Sequence, residues 1–178
     1  AYTPFSDTTL PDTTNPTVGG SGAITASNIN DGFFDISWTK ATDDIAAQAS
    51  LEYLVCTSSG AIVSIGACEA AQAVAYTADM DSTTLTGLQP LTQYHFNVVV
   101  KDGFDNKALY TSNSATTIAD TTNPVPGNAG SITPGNESET SIDLSWTKGT
   151  DNVSADAALE YLVSVSYTHL TLPTNTPV

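Results

Sequence analysis

The sequence predicts an all-β fold of antiparallel sandwiches laid out in repeated copies. Three observations predict it. Apolar residues alternate with polar ones at a period of two, and short runs of this kind are separated by clusters of Gly, Asn, Asp, Pro and Thr. A long block of the chain also recurs at an offset of 108 residues.

The recurrence sets the domain plan. Asp12-Thr13-Thr14-Asn15-Pro16 returns as Asp120-Thr121-Thr122-Asn123-Pro124, Trp38 as Trp146, Lys40 as Lys148, and Leu51-Glu52-Tyr53-Leu54-Val55 as Leu159-Glu160-Tyr161-Leu162-Val163. Without a gap, 24 of the 44 paired positions from 12 to 55 are identical. The same offset pairs Tyr2-Thr3 with Tyr110-Thr111 and Thr8-Thr9 with Thr116-Thr117. Residues 1–11 are therefore expected to be the last strand of a preceding repeat, 12–119 a complete domain, and 120–164 a truncated next repeat. From Val165 the match stops. Val165-Ser166-Tyr167-Thr168-His169-Leu170-Thr171-Leu172-Pro173-Thr174 resembles the translation of a common transposase sequencing adapter, so 165–178 are expected to be a non-native tail and His169 to carry no chemistry.

Within the complete repeat each element has its own signal. Phe34, Ile36 and Trp38 alternate with Asp35 and Ser37, and Leu51, Tyr53 and Val55 with Glu52 and Leu54. Tyr94, Phe96, Val98 and Val100 alternate with Gln93, His95, Asn97 and Lys101. Ala46-Ala47-Gln48-Ala49 and Glu69-Ala70-Ala71-Gln72-Ala73 favour helical turns but are too short for a stable helix, and predict loops.

Composition excludes several classes of function. The chain carries 4 Lys, no Arg and 19 acidic residues, a formal charge of −15. Such a surface repels phosphate backbones and anionic lipid, which argues against nucleic-acid and peripheral membrane partners. No apolar run approaches the ~18 residues of a membrane helix.

Leu88-Gln89-Pro90-Leu91-Thr92-Gln93-Tyr94-His95-Phe96-Asn97-Val98 resembles the fibronectin type III pattern Leu-x-Pro-x-Thr-x-Tyr-x-Phe-x-Val. Ser37-Trp38-Thr39 and Ser145-Trp146-Thr147 resemble that family's tryptophan late in the second strand, and Thr42-Asp43-Asp44 and Thr150-Asp151-Asn152 resemble its bacterial extracellular members. The resemblance covers 12–119 fully and 120–163 in part. It implies an immunoglobulin-like antiparallel β-sandwich with Tyr94 as the tyrosine corner and Trp38 and Trp146 as core indoles, Trp38 meeting Tyr94 inside the first sandwich. Strands are implied at about 22–27, 33–39, 50–57, 61–66, 82–87, 93–101 and 107–117. The implied core is Ile24, Phe34, Ile36, Trp38, Tyr53, Val55, Leu85, Leu88, Tyr94, Phe96, Val98 and Val100. The truncated copy would leave Ile142, Leu144, Trp146 and Tyr161 little to pack against.

Chemistry-bearing residues are few. Cys56 and Cys68 are expected to form a disulfide in an extracellular setting; a reduced pair is the alternative, and zinc lacks further Cys or clustered His. His95 points outward and reads as a solvated imidazole. No nucleophile elbow, phosphate loop or paired-His motif is present, so no catalytic residue and no cofactor is expected. In the implied topology the loops after the second and sixth strands meet the incoming linker and gather Asp12, Asp43, Asp44, Asp102 and Asp105. Hard oxygen donors at such a junction suit Ca²⁺. Turn chemistry is the preferred reading, because Asp and Asn accept local backbone bonds, and no metal is expected. Asn136-Glu137-Ser138 and Asn152-Val153-Ser154 fit glycosylation sequons and read equally as turns.

These features predict a non-catalytic extracellular spacer module in a tandem-repeat bacterial surface or secreted protein, with neighbouring repeats as its partners. The alternative is a glycan- or protein-binding adhesion module, accessory to a glycoside hydrolase, using Phe33, Phe104 or Tyr110 as exposed aromatics.

Overall fold

The computed structural model describes residues 9–166. The expected strand at 1–11 lies mostly outside that range, as do residues 167–178 of the expected tail. The chain divides into two compact units, Ala1–Thr122 and Asn123–Val178.

In the first unit, strands β1 (Ile24–Ser27), β2 (Phe33–Trp38) and β5 (Ser82–Thr86) form one antiparallel sheet in the order β1-β2-β5. Strands β3 (Glu52–Ser58), β4 (Gln72–Ala78), β6 (Gln93–Lys101), β7 (Lys107–Leu109) and β8 (Asn113–Thr116) form the other, in the order β4-β3-β6-β7 with β8 also on β6. The registers follow the alternation: Phe34 faces Leu85, Tyr53 faces Val100 and Val55 faces Val98. Between the sheets lie Ile24, Phe34, Ile36, Trp38, Tyr53, Val55, Leu85, Leu88, Phe96, Val98 and Val100, joined by Ala41, Leu51, Tyr110 and Ala115. Tyr94 packs against this core from a half-buried position.

The sheet of β3 and β6 is covered on both faces. Leu54, Cys56 and Val99 point away from the main core and form a second cluster with Ile62 and Cys68. The continuous runs Leu54-Val55-Cys56 and Val98-Val99-Val100 are what such a strand requires, since no face is left for polar residues. Asn97, expected outside, is fully buried beneath the same cover. It donates from Nδ2 to the Ile62 carbonyl at 2.9 Å and accepts the Val98 N–H at 2.8 Å.

The expected strand at 61–66 is replaced. That stretch leads into helix α1 (Ile65–Ala70), and the strand lies further on, as β4. Ser64 caps the helix, its hydroxyl accepting the Ala67 N–H at 3.2 Å. A single turn of six residues is unstable alone; burial of Cys68 and Ile62 over Val99 supplies the missing stability. The expected strand at 107–117 is interrupted at Tyr110–Ser112, where the Thr111 N–H turns to the Gly22 carbonyl at 2.9 Å instead of continuing the ladder. Trp38 meets the rings of Tyr53, at 5.9 Å, and Tyr110, at 6.5 Å. Tyr94 is not its ring partner, because it lies six residues along β6 from Val100, the residue opposite Tyr53.

The second unit holds the hairpin of β9 (Ile132–Gly135) and β10 (Asp143–Trp146). Its register, Ile132 opposite Trp146, is that of Ile24 opposite Trp38. Trp146 packs on Tyr161 at 5.7 Å, yet Ile132, Ile142, Trp146 and Tyr161 are all exposed. A cleft of about 550 Å³ lined by Ile132, Leu144, Trp146 and Tyr161 is this bare inner face.

Candidate functional site

The polar chemistry of the first unit concentrates where the linker before β1 runs past the loop after β2. Thr17 and Thr42 exchange both backbone hydrogen bonds, at 2.7 and 2.9 Å. Gly19 passes so close to β2 that a side chain there would collide with the carbonyls of Thr39 and Lys40; Gly127 repeats this against Lys148. Asn106 fastens the linker from the other side, its Nδ2 donating to the Asp12 carbonyl at 3.3 Å and to Asp102 Oδ2 at 2.7 Å.

These ties bring Asp12, Asp43 and Asp44 together, with one ligand oxygen from each within 4.8 Å of the others. Asp12 Oδ1 accepts the Thr14 N–H at 2.9 Å. Asp43 Oδ2 accepts the N–H groups of Ile45 and Ala46 at 3.0 and 2.8 Å. The remaining oxygens, Asp12 Oδ2 and Asp43 Oδ1, are buried and have no hydrogen-bond donor.

The other two acidic candidates are employed differently. Asp102 is buried, and its Oδ1 accepts the N–H groups of Phe104 and Asn106 at 2.8 and 2.9 Å. Burial pushes its carboxyl up, but the bonds from the Asn106 side chain and these backbone groups outweigh it and hold the group below the ordinary carboxylate range. Asp105 turns to Lys107, at 3.2 Å. Asp102 thus supports the linker, and Asp105 stands apart.

Cys56 and Cys68 are bridged, with Cα atoms 5.2 Å apart, and pin α1 to β3. Around this patch runs a charged network that the sequence did not reveal. Lys101 pairs with Glu52 at 3.0 Å and sits 4.5 Å above the Tyr76 ring; the Tyr76 hydroxyl donates to Glu69 at 2.9 Å, and Lys107 pairs with Glu69 at 2.9 Å. Its members come from five different elements, β3, α1, β4, β6 and β7, so no pattern within one element signals it. Of the three aromatic candidates, Phe104 is exposed, Phe33 is half-buried, and Tyr110 is buried with its hydroxyl on the Thr39 carbonyl at 2.7 Å. His95 is half-buried on β6.

The Tyr94 hydroxyl accepts the Gln89 N–H at 2.9 Å, closing the corner five residues back. With this corner, the core indole and the split of strands into β1-β2-β5 and β4-β3-β6-β7, the first unit has the fibronectin type III fold. No family model matches the chain. Among curated proteins it is similar to Exoglucanase A of Cellulomonas fimi, at 32% identity over 167 residues, which is 90% of this chain and 16% of that protein. The chain therefore spans about a sixth of the relative's length. Among solved structures it is similar to a fibronectin type III domain of human contactin 1, at 15% identity and a TM-score of 0.44, over 68% of this chain and 92% of that one. It is also similar to the fibronectin type III domain of human fibronectin type III domain containing protein 3, at 12% identity and a TM-score of 0.39, over 65% of this chain and 94% of that one. Among the described residues no helix is long and apolar enough to cross a membrane.

Proposed function

We propose that the chain is a non-catalytic structural module that spaces domains within a longer extracellular bacterial protein, its sandwiches arrayed in tandem. The observation that carries this is the repetition of linker geometry. The Thr14 N–H bonds Asp12 and the Thr122 N–H bonds Asp120, each at 2.9 Å; each linker then forms a two-bond bridge to the loop after the tryptophan strand, Thr17 with Thr42 and Val125 with Thr150. In this reading the linker's shortness and its proline limit swivelling between copies. Similarity to part of an exoglucanase supports an accessory place beside a catalytic domain, and the disulfide suits an oxidising compartment. Neighbouring copies are the partners in this reading. Small-angle scattering of a protein carrying two complete copies of 12–119 tests it: one extended maximum dimension is expected, and a broad distribution typical of freely jointed beads would contradict it.

The second reading, a glycan-binding accessory module, rests on the exposed Phe104 and the exoglucanase relative. Retention on insoluble cellulose that is lost in Phe104→Ala would favour it.

A further inference from the structure

We propose that Asp12, Asp43 and Asp44 form a Ca²⁺ site that clamps the incoming linker to the loop after β2. Three acidic side chains alone would not establish a site. The decisive observation is Asp12, which is only 8% exposed and whose Oδ2 is buried without a donor while its ligand oxygen lies within 4.8 Å of those of Asp43 and Asp44. Asp43 Oδ1 is a second buried oxygen with no donor. A buried, uncompensated carboxylate oxygen is costly, and like charges gathered close by add to the cost.

Among the described residues no lysine pairs with these three carboxylates, and the neighbour that Asp12 does meet, Asp102, is itself a carboxylate. The ion pairs of the first unit employ Lys40 with Asp79 and Asp81, Lys101 with Glu52, and Lys107 with Glu69 and Asp105. Backbone N–H groups hold one oxygen of Asp12 and one of Asp43 and leave the other oxygen of each without a donor. Carboxylates presented in fixed orientation, with no thiolate or imidazole among them, are hard donors suited to Ca²⁺ rather than Zn²⁺. Asp44 is exposed, so the outer side of the site is open to water, which completes the six to eight oxygens that Ca²⁺ takes.

The second unit repeats part of this arrangement. Asp151, at the position of Asp43, accepts the N–H groups of Val153 and Ser154 at 3.0 and 2.7 Å and again leaves Oδ1 buried without a donor. Asp120 stands at the position of Asp12 and Asn152 at that of Asp44, so one charge is replaced by a neutral amide. The first unit is therefore the tighter site. The inference concerns cation binding alone and stands whether the module spaces domains or binds glycan.

Calorimetric unfolding of the full chain in 10 mM CaCl₂, 10 mM MgCl₂ or EDTA tests it. An affinity near 10⁻⁴ M, typical of extracellular modules, predicts a Ca²⁺-induced rise of the first unit's midpoint of roughly 10 °C, with a much smaller rise in Mg²⁺. Asp43→Asn keeps an oxygen for the Ile45 and Ala46 N–H groups but removes the charge. It is expected to abolish the Ca²⁺ shift and, in EDTA, to melt no lower than the parent. Should that variant fold poorly, the exposed Asp44→Asn serves instead, and Asp105→Asn keeps the full shift. Equal midpoints of the parent in CaCl₂ and EDTA, or a shift that survives both Asp43→Asn and Asp44→Asn, would overturn the proposal.

Discussion

Asn97 shows how much a single polar side chain can decide. It is fully buried between β6 and the segment leading to α1, and both its amide atoms are bonded. Asn97→Ala would strip the Ile62 carbonyl of its donor and open a small cavity, at a cost of about 2–3 kcal/mol. Urea midpoints of the full chain measure it. Tyr94 carries a smaller share: Tyr94→Phe keeps the ring in the core and loses only the bond from the Gln89 N–H, so about 1 kcal/mol is expected in the same assay. The Cys56–Cys68 bridge closes a separation of 12 residues, and on a loop-entropy estimate its reduction lowers stability by roughly 3 kcal/mol. Dithiothreitol should therefore shift the urea midpoint of the parent and leave that of a Cys56→Ser, Cys68→Ser double variant unmoved. Trp38, Phe34 and Tyr53 were legible in the sequence because each sits on a strand whose alternation marks its inner face. Asn97 was not, since alternation assigns it to solvent, and only a cover built from residues 62–68 puts it inside.

At the scale of elements, β2, β3 and β6 could be read directly from period-two patterns, whereas α1 and β4 could not. Ser64 announces the helix as a cap, but six residues have too little intrinsic preference to outweigh the β-prone Ile62-Val63 before them. Tertiary burial of Cys68 settles the matter, and the strand is displaced past the helix to 72–78. The network around Tyr76 gives this region a pH signature. Hydrogen bonds from Lys107 and Tyr76 hold the Glu69 carboxyl below its ordinary value. Its contribution is thus present above the unfolded value of about 4.3 and lost as pH falls through the lower folded value. Lys107 is raised, first by its bond to Glu69, and Tyr76 is raised by burial and by the same carboxylate. Their contributions are full below about pH 10 and disappear as pH climbs past it. Stability should be level between about pH 5 and 10 and fall on both sides, gently on the acid side because partly exposed ion pairs are worth under about 1 kcal/mol. Urea midpoints against pH measure this, and Glu69→Gln should flatten the acid limb while lowering the plateau slightly.

The described residues form one closed sandwich and one open hairpin, and the contrast follows from which strands each unit shows. In the first unit β1, β2 and β5 face β3 and β6 across a shared core, so every large side chain of the inner faces finds a partner. In the second, β9 and β10 reproduce the first hairpin residue for residue, even to the Gly149 N–H on the Tyr161 hydroxyl, which matches the Ala41 N–H on Tyr53. Yet Trp146 is 40% exposed where Trp38 is 7%. Similar local sequence has produced the same strand register, but the free energy of burial comes from the facing sheet, and a lone hairpin has little of it. Residues 120–164 made alone should therefore show no cooperative thermal transition, while residues 9–122 unfold in one step with a sharp heat-capacity peak. Tryptophan emission reports the same difference, since the Trp146 indole should emit at the wavelength of a solvated ring and Trp38 well to the blue. A cooperative melt of 120–164, or a blue-shifted Trp146 in that peptide, would mean that the hairpin finds its own partner, through self-association or a different packing, and that closure of the facing sheet is not what stabilises this fold.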